Sequence, residues 1–317
     1  MTISEIAKEI LKFKKVLIFS HNRPDGDTIG SATALYYALK SLGVECDLVC
    51  DSEIPAKYDF VCKNFYKQTD EISTIYDAHI AVDCSSQAMF LGAYKLFTSN
   101  KNTFNIDHHV SNEMYAKFNY VVDSGACAEN IFDLISELKV EITPEIANSL
   151  LLGIITDTGA FAHSNTTSKT LLYASKLVEL KGDVHNIIYK MFKEQSKERA
   201  KLFSHTTNKI SYYLDGKVGV LVIKQEDLLH CNAKDNMTEG FIDFALNVRG
   251  VEVAISLLEI SKMKFKISFR SKGTINVNEI ASIYGGGGHI LASGCMLCGY
   301  VEDIIDKLVY NVKQRLW

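Results

Sequence analysis

Short β-branched runs alternate with helical stretches through the first half of the chain, and that alternation restricts it to one kind of sheet. KVLIFS (15–20), VECDLVC (44–50), HIAVDC (79–84) and TFNIDHH (103–109) are apolar and short, as buried strands are. Between the first two, Thr28 to Leu42 repeats apolar residues at helical spacing (Ile29, Ala32, Leu35, Tyr36, Leu39) and stops at Gly43. Pro144 opens a further apolar helix, PEIANSLLLGIITDTG. Strands joined through helices run parallel, so the expectation is an α/β domain: a parallel sheet with helices on both faces.

The second half reads differently. KTLLYASKLVELKG is a helix closed by Gly182, and 183–210 is charged and helical in period. KVGVLVIK (217–224), EVAISLLEI (252–260) and KFKISFRS (264–271) are strands, and VEDIIDKLVYNVKQRL is a closing helix. A chain of 317 residues suits two domains. The expected division is 1–190, a helical linker over 191–210, and a smaller mixed α/β domain over 211–317.

In an open parallel sheet, ligands bind beyond the carboxyl ends of the strands. KVLIFS is followed by His21, Asp25 and Asp27. HIAV is followed by Asp83, and TFNI by Asp107, His108 and His109; the helix from Pro144 runs into Asp157. Singly, each has an ordinary explanation: Pro-Asp-Gly-Asp is good turn chemistry, and Asp27 or Thr28 would cap a helix. Together they do not, because carboxylates that converge on one crevice repel one another. A cation resolves the repulsion. Carboxylates with neutral imidazoles suit Mn²⁺, Fe²⁺, Co²⁺ or Zn²⁺ better than Mg²⁺. The set is too large for one ion, whereas two ions about 3.5–4 Å apart sharing a carboxylate would use it.

HNRPDGDTIGS, VDCSS, IDHHVSN and TDTGAF, in this order, resemble the DHH phosphoesterase superfamily, and SFRSKG and GGGGHILASG resemble the DHH-associated C-terminal domain. The matches span about residues 15 to 295. The group most alike hydrolyses short oligoribonucleotides and 3′-phosphoadenosine-5′-phosphate. The resemblance implies that His21 and Asp25 hold a first ion, that Asp27, His108 and Asp157 hold a second, and that Asp83 bridges the two. It places Asp107 behind its neighbours in a supporting role and His109 against the scissile phosphate. Among these, Asp83, Asp107 and His109 carry the catalytic roles. Arg23 and Asn112 are expected at phosphate. Arg270, Ser271, Gly286, Gly287, Gly288 and His289, with Ser293 assisting, are expected at the far end of the substrate, across a cleft between the two domains. The chain departs from many relatives at Ala160, after TDTG, where a larger or basic residue is usual.

The run of glycines also has its own physical reading: consecutive glycines let backbone N–H groups converge on an anion. It lacks the Lys-Ser/Thr ending of a P-loop. Cys295 and Cys298 lack the second pair or the histidines of a zinc site and read as strand residues.

The expected activity is therefore two-metal hydrolysis, with Mn²⁺ favoured and Mg²⁺, Co²⁺ and Zn²⁺ as alternatives, on short single-stranded RNA or small nucleotides. Cyclic-di-AMP or linear pApA cleavage is the alternative; pyrophosphatase or exopolyphosphatase action and nucleotide sensing without catalysis stand further off. A net charge of −4 argues against coating long duplex DNA. No apolar run reaches the roughly 18 residues of a membrane span. The first residues, MTISEIAKEILKFKK, form an amphipathic helix and lack a signal peptide's apolar core. A cytoplasmic protein with reduced cysteines is expected, and a homodimer is compatible with the sequence.

Overall fold

The computed structural model describes residues 1–62, 66–72 and 75–316. The chain divides into two compact units, Met1–Glu194 and Gln195–Trp317. Among the described residues each unit holds one six-stranded sheet.

The first sheet contains β1 (Lys15–Phe19), β2 (Glu45–Val49), β3 (Tyr66–Lys67), β4 (Ala78–Val82), β5 (Thr103–Asp107) and β6 (Phe118–Val121). They lie in the order β3-β2-β1-β4-β5-β6, and every neighbouring pair is parallel. Alternate residues serve opposite faces. Val16 and Ile18 join Leu48, Ile80, Val82, Phe104 and Ile106 against the helices Gly26–Ser41, Cys127–Glu137 and Pro144–Asp157. Leu17 and Phe19 join Val49, Ala81 and Cys84 against Phe90 and Phe97 on the other face. Each aliphatic side chain so buried contributes about 1.5–3 kcal/mol. Both faces are therefore covered, and parallel strands leave all their carboxyl ends on one edge.

The helix expected to begin at Thr28 begins at Gly26, with Asp25 as its cap: Asp25 Oδ1 accepts from the N–H groups of Asp27 and Thr28, each at 3.0 Å. The charged stretch over 183–210 is not one helix. The helix Val184–Ile188 passes into a π-helical turn, Tyr189–Lys193, and Glu194 is extended. A new helix, Lys197–Thr207, starts at Ser196, whose hydroxyl accepts from Arg199 N at 3.1 Å. Residues 195–210 pack with the second unit.

The second sheet contains β7 (Ser211–Tyr213), β8 (Val218–Ile223), β9 (Val253–Ser261), β10 (Lys264–Ser271), β11 (Gly287–Gly288) and β12 (Ala292–Cys298). The order is β11-β12-β10-β9-β8-β7, with only β8 and β9 parallel. Phe265, Ile267 and Phe269 face the helices Val277–Ile283 and Val301–Leu316. Leu221, Ile223 and Leu258 on the opposite face pack against Leu202, Leu228 and Phe241. Cys295 and Cys298 both lie on β12, and all eight cysteines are free. Among the described residues no helix is long and apolar enough to cross a membrane.

Candidate functional site

The carboxyl edge of the first sheet gathers the side chains that the sequence singles out. His21 follows β1, Asp83 follows β4, and His108 and His109 follow β5. Asp83 turns the chain with φ at 56°, a left-handed backbone that few non-glycine residues adopt and that recurs at functional sites. Asp27 sits in the first turn of the helix Gly26–Ser41, and Asp157 is the last residue of the helix Pro144–Asp157.

Two groups share one centre. His21, Asp25 and Asp83 offer ligand atoms within 4.8 Å of one another, and so do Asp27, His108 and Asp157. Asp83 stands between them: its Oδ2 is 3.7 Å from His21 Nε2, and its Oδ1 is 3.5 Å from His108 Nε2. His21 Nε2 also lies 3.7 Å from Asp25, and His108 Nε2 lies 3.9 Å from both Asp27 and Asp157.

The donor set fits divalent cations. His21 Nδ1 donates to Asn22 O at 2.7 Å and His108 Nδ1 to Ser124 O at 3.0 Å. A carbonyl only accepts, so both rings carry the proton on Nδ1 and aim Nε2 at the centre, as a metal-ligating histidine does. Asp83 is 2% exposed, and its Oδ1 has no hydrogen-bond donor among the described residues. A buried carboxylate oxygen without a donor is unfavourable unless something positive faces it.

The electrostatics point the same way. Burial, and then the charges of Asp27, Asp25, Asp107 and Asp157, push the Asp83 carboxyl well above its ordinary range. Burial, with the Asp157 charge added, pushes Asp27 up to about 7. Burial likewise leads the causes that raise Asp157. Burial opposes protonation of the imidazoles, but Asp25 beside His21 and Asp27 beside His108 outweigh it and raise both. Without a cation the cluster must hold protons; with one, every group is already aimed to receive it.

Around this centre the other expected residues separate. His109 Nδ1 donates to Asp107 Oδ1 at 2.8 Å. Burial would raise Asp107, yet His109 and Asn112 outweigh it and hold its carboxyl below the usual value. Asn112 Nδ2 bonds Asp107 Oδ2 and also Asn105 Oδ1 at 2.8 Å, and Asn112 Oδ1 accepts from Met114 N at 2.7 Å. Its amide is thus engaged in holding Asp107, not offered to phosphate. Arg23 is exposed on the loop after β1, with φ at 51°. Ala160 and Phe161 are consecutive left-handed residues, and His163 is exposed.

In the second unit, Arg270 shares a cavity of about 590 Å³ with Ser268, Lys266 and residues 285–288. Ser271 does not join it. Neighbouring strand residues face opposite ways, so Ser271 points with Phe269 into the core, where its hydroxyl accepts from Gly273 N at 3.1 Å. Ser293 is also buried and donates to Val277 O at 2.7 Å. His289 is exposed. The glycines have a packing reason that sequence alone did not reveal. A Cβ on Gly286 would lie 2.2 Å from Gly294 O, and one on Gly288 would lie 2.6 Å from Ala292 O, because both residues press on β12. Gly287 alone among 286–288 faces open space, with Asn278 Oδ1 3.9 Å from the place of a Cβ.

Several site-forming groups escaped the sequence reading. The N–H groups of Cys127 and Ala128 hold Asp27 Oδ2 and Oδ1 at 2.6 and 3.0 Å. Asn165 donates to Asp157 O at 3.2 Å, Asn105 accepts from Asn112, and Glu129 accepts from Thr170 behind them. The available signal for Asn105 and Glu129 was polar residues inside an apolar run, one in TFNID and two in CAENIF; Asn165 carried none.

The profile of the DHH family, N-terminal domain, matches residues 15–154, and that of the DHHA1 domain matches residues 215–317. A bifunctional oligoribonuclease and PAP phosphatase NrnA of Mycoplasma genitalium is 30% identical, over 98% of this chain and 99% of that one. The protein of the same name from Thermus thermophilus is 29% identical, over 98% and 94%. The crystal structure of an exopolyphosphatase-related protein from Bacteroides fragilis superposes with a TM-score of 0.89 at 23% identity, over 98% of this chain and 95% of that one, a likeness of fold.

Proposed function

Because the chain belongs to the DHH family, we propose that it is a metal-dependent phosphoesterase that hydrolyses short oligoribonucleotides and 3′-phosphoadenosine-5′-phosphate. One observation carries the reading: His21, Asp25, Asp27, His108 and Asp157 converge around Asp83, whose buried Oδ1 has no other partner among the described residues. The two relatives named above, matched along nearly their whole length, carry both activities in their names.

His21 and Asp25 would hold one cation, Asp27, His108 and Asp157 a second, and Asp83 both; the mixed oxygen and nitrogen donors favour Mn²⁺. Bound there, the cations supply Lewis acidity toward the phosphoryl group and acidify water. The chain's own residues do the rest. His109 donates a hydrogen bond from Nδ1 to Asp107, so Nε2 is the atom left to face the substrate; carrying a second proton there, it would donate to a phosphoryl oxygen or pass that proton to the departing ribose oxygen. Asp107, itself gripped by Asn112, fixes the ring that makes that contact. Arg23 is free to pair with a non-bridging oxygen. On the second unit, Arg270 and the open backbone of Gly287 offer donors suited to a nucleotide. Eight free cysteines suit a reducing cytoplasm.

The test is a panel with Mn²⁺ supplied: a linear diribonucleotide, 3′-phosphoadenosine-5′-phosphate, a cyclic dinucleotide and pyrophosphate. The first two are expected to turn over fastest. Turnover of pyrophosphate alone, or of none of the four, overturns the reading.

A further inference from the structure

Three of the six candidate ligands take their orientation from one short stretch, residues 124–128, which follows β6 and runs into the first turn of the helix Cys127–Glu137. Ser124 O accepts from His108 Nδ1. Cys127 N and Ala128 N hold Asp27. Gly125 O accepts from Asn165 Nδ2 at 2.9 Å, and the same nitrogen reaches Asp157 O at 3.2 Å and Asp157 Oδ2 at 3.5 Å. Asp27, His108 and Asp157 are the members of one cation group. His21 and Asp25, in the other, are fixed elsewhere, by Asn22 O and by the N–H groups of Asp27 and Thr28.

Glu129 fixes the stretch itself. It is wholly buried in the first turn of its helix, and its Oε1 accepts from Thr170 Oγ1 at 2.6 Å. Gly125 is pressed against this pair: a Cβ there would lie 2.6 Å from Glu129 Oε1 and 2.7 Å from Thr170 Oγ1. Yet Glu129 Oε2 has no partner among the described residues, and neither does the buried Asn165 Oδ1. A carboxylate is the most unfavourable side chain to bury half-satisfied. An apolar residue of the same length would fill the space with less penalty, so stability alone does not explain Glu129.

We propose that Glu129, acting with Thr170 and through Asn165, is a positioning residue for one cation of the pair. It locks residues 124–128 in the conformation that presents Asp27, His108 and Asp157 together. Glu129 touches neither substrate nor metal; it acts through the backbone that the ligands lean on. The inference rests on the metal reading above, and it assigns the device to one ion and not to both.

The test is Mn²⁺ binding to the full chain, followed by the electron paramagnetic resonance signal of the free ion, beside melting of the metal-free protein. Glu129→Met and Asn165→Ala are expected to weaken one class of Mn²⁺ site about 10–100-fold, the usual effect of removing an outer support, and to leave the other class unchanged. Glu129→Gln keeps an acceptor for Thr170 and is expected to bind like the natural protein. A merely structural role would lower the metal-free melting temperature and weaken both classes in parallel; that result overturns the inference. So do unchanged isotherms in Glu129→Met and Asn165→Ala, or a loss in Glu129→Gln equal to that in Glu129→Met. Natural protein that binds no Mn²⁺ overturns the metal reading itself, which separates the two failures.

Discussion

Asp83 concentrates the electrostatic problem that the site must solve. Its backbone is left-handed, one oxygen lacks a donor among the described residues, and burial and then four other carboxylates raise its pKa. In the metal-free protein these features destabilise; with cations bound they become the means of holding them. The sign of the effect of Asp83→Asn should therefore reverse with metal. Without metal, folding at neutral pH must keep the buried Asp83 carboxyl protonated although it ionises in the unfolded chain, a cost that Asn does not carry, and stability is expected to rise by roughly 1–3 kcal/mol. With Mn²⁺ present, the stabilisation that bound ligand confers is expected to shrink or vanish. Thermal melting in chelator and in Mn²⁺ checks both signs, and a variant less stable than the natural protein in chelator sinks the argument. The convergence of these side chains was legible in the sequence because charge at the end of an apolar strand has no structural excuse. Ser271 was misplaced although the signal was there: Phe265, Ile267 and Phe269 set an alternation that sends Ser271 inward with them. Asn112 was misjudged for a different reason. Nothing in the sequence says that Asn105, seven residues earlier, faces it across the fold.

At the scale of elements, the site depends on two helices approaching almost to backbone contact. Gly26–Ser41 carries Asp27 at its start, and Pro144–Asp157 carries Asp157 at its end. Gly30 lets them meet: a Cβ there would lie 2.3 Å from Ser149 O and 2.8 Å from Gly153 N. On the other helix, a Cβ at Gly153 would lie 2.6 Å from both Asp27 Oδ1 and Ala128 Cβ. Gly30→Ala is expected to push the helices apart, to destabilise the protein by about 1–3 kcal/mol through overpacking, and to weaken Mn²⁺ binding as Asp27 draws away from Asp157. Urea unfolding and a Mn²⁺ isotherm read the two effects, and a variant with both unchanged refutes the close-contact account. The strands of the first sheet were legible because each is short, apolar and bounded. The small residues of GDTIGSATA were not seen for what they are, since apolar periodicity marks a helix with one buried face. This helix buries nearly every residue of its first three turns. The helix Cys127–Glu137, whose N–H groups hold Asp27, was passed over because its Ala126 cap offers no side-chain signal. The packing role of Gly286 and Gly288 was not legible beside the anion reading, because the tight pairing of residues 287–288 with 293–294 across the turn is not written in a run of glycines.

For the whole molecule, the question is where affinity for a polyanion comes from in a chain of net charge −4. A protein that binds nucleic acid through many lysine and arginine contacts loses roughly 10³–10⁵ in affinity between 50 and 200 mM salt, because each neutralised phosphate releases counterions. Here the described basic side chains near the expected phosphates are few, and the centre itself is a concentration of carboxylates that would repel a phosphate outright. On the proposed reading attraction then comes chiefly from bound metal, which inverts the sign of the local field. Two consequences separate this from surface-charge recognition. A non-hydrolysable diribonucleotide should lose most of its affinity in chelator, the metal-free carboxylates now facing its phosphate. In Mn²⁺, raising salt from 50 to 200 mM should change its affinity by less than about tenfold, since few lysines or arginines neutralise its phosphates. Fluorescence anisotropy of a labelled phosphorothioate dinucleotide measures both. Affinity that survives chelator but collapses in salt would move recognition from the carboxyl edge of the first sheet to the lysines of the surface, and the converging side chains around Asp83 would then need another explanation.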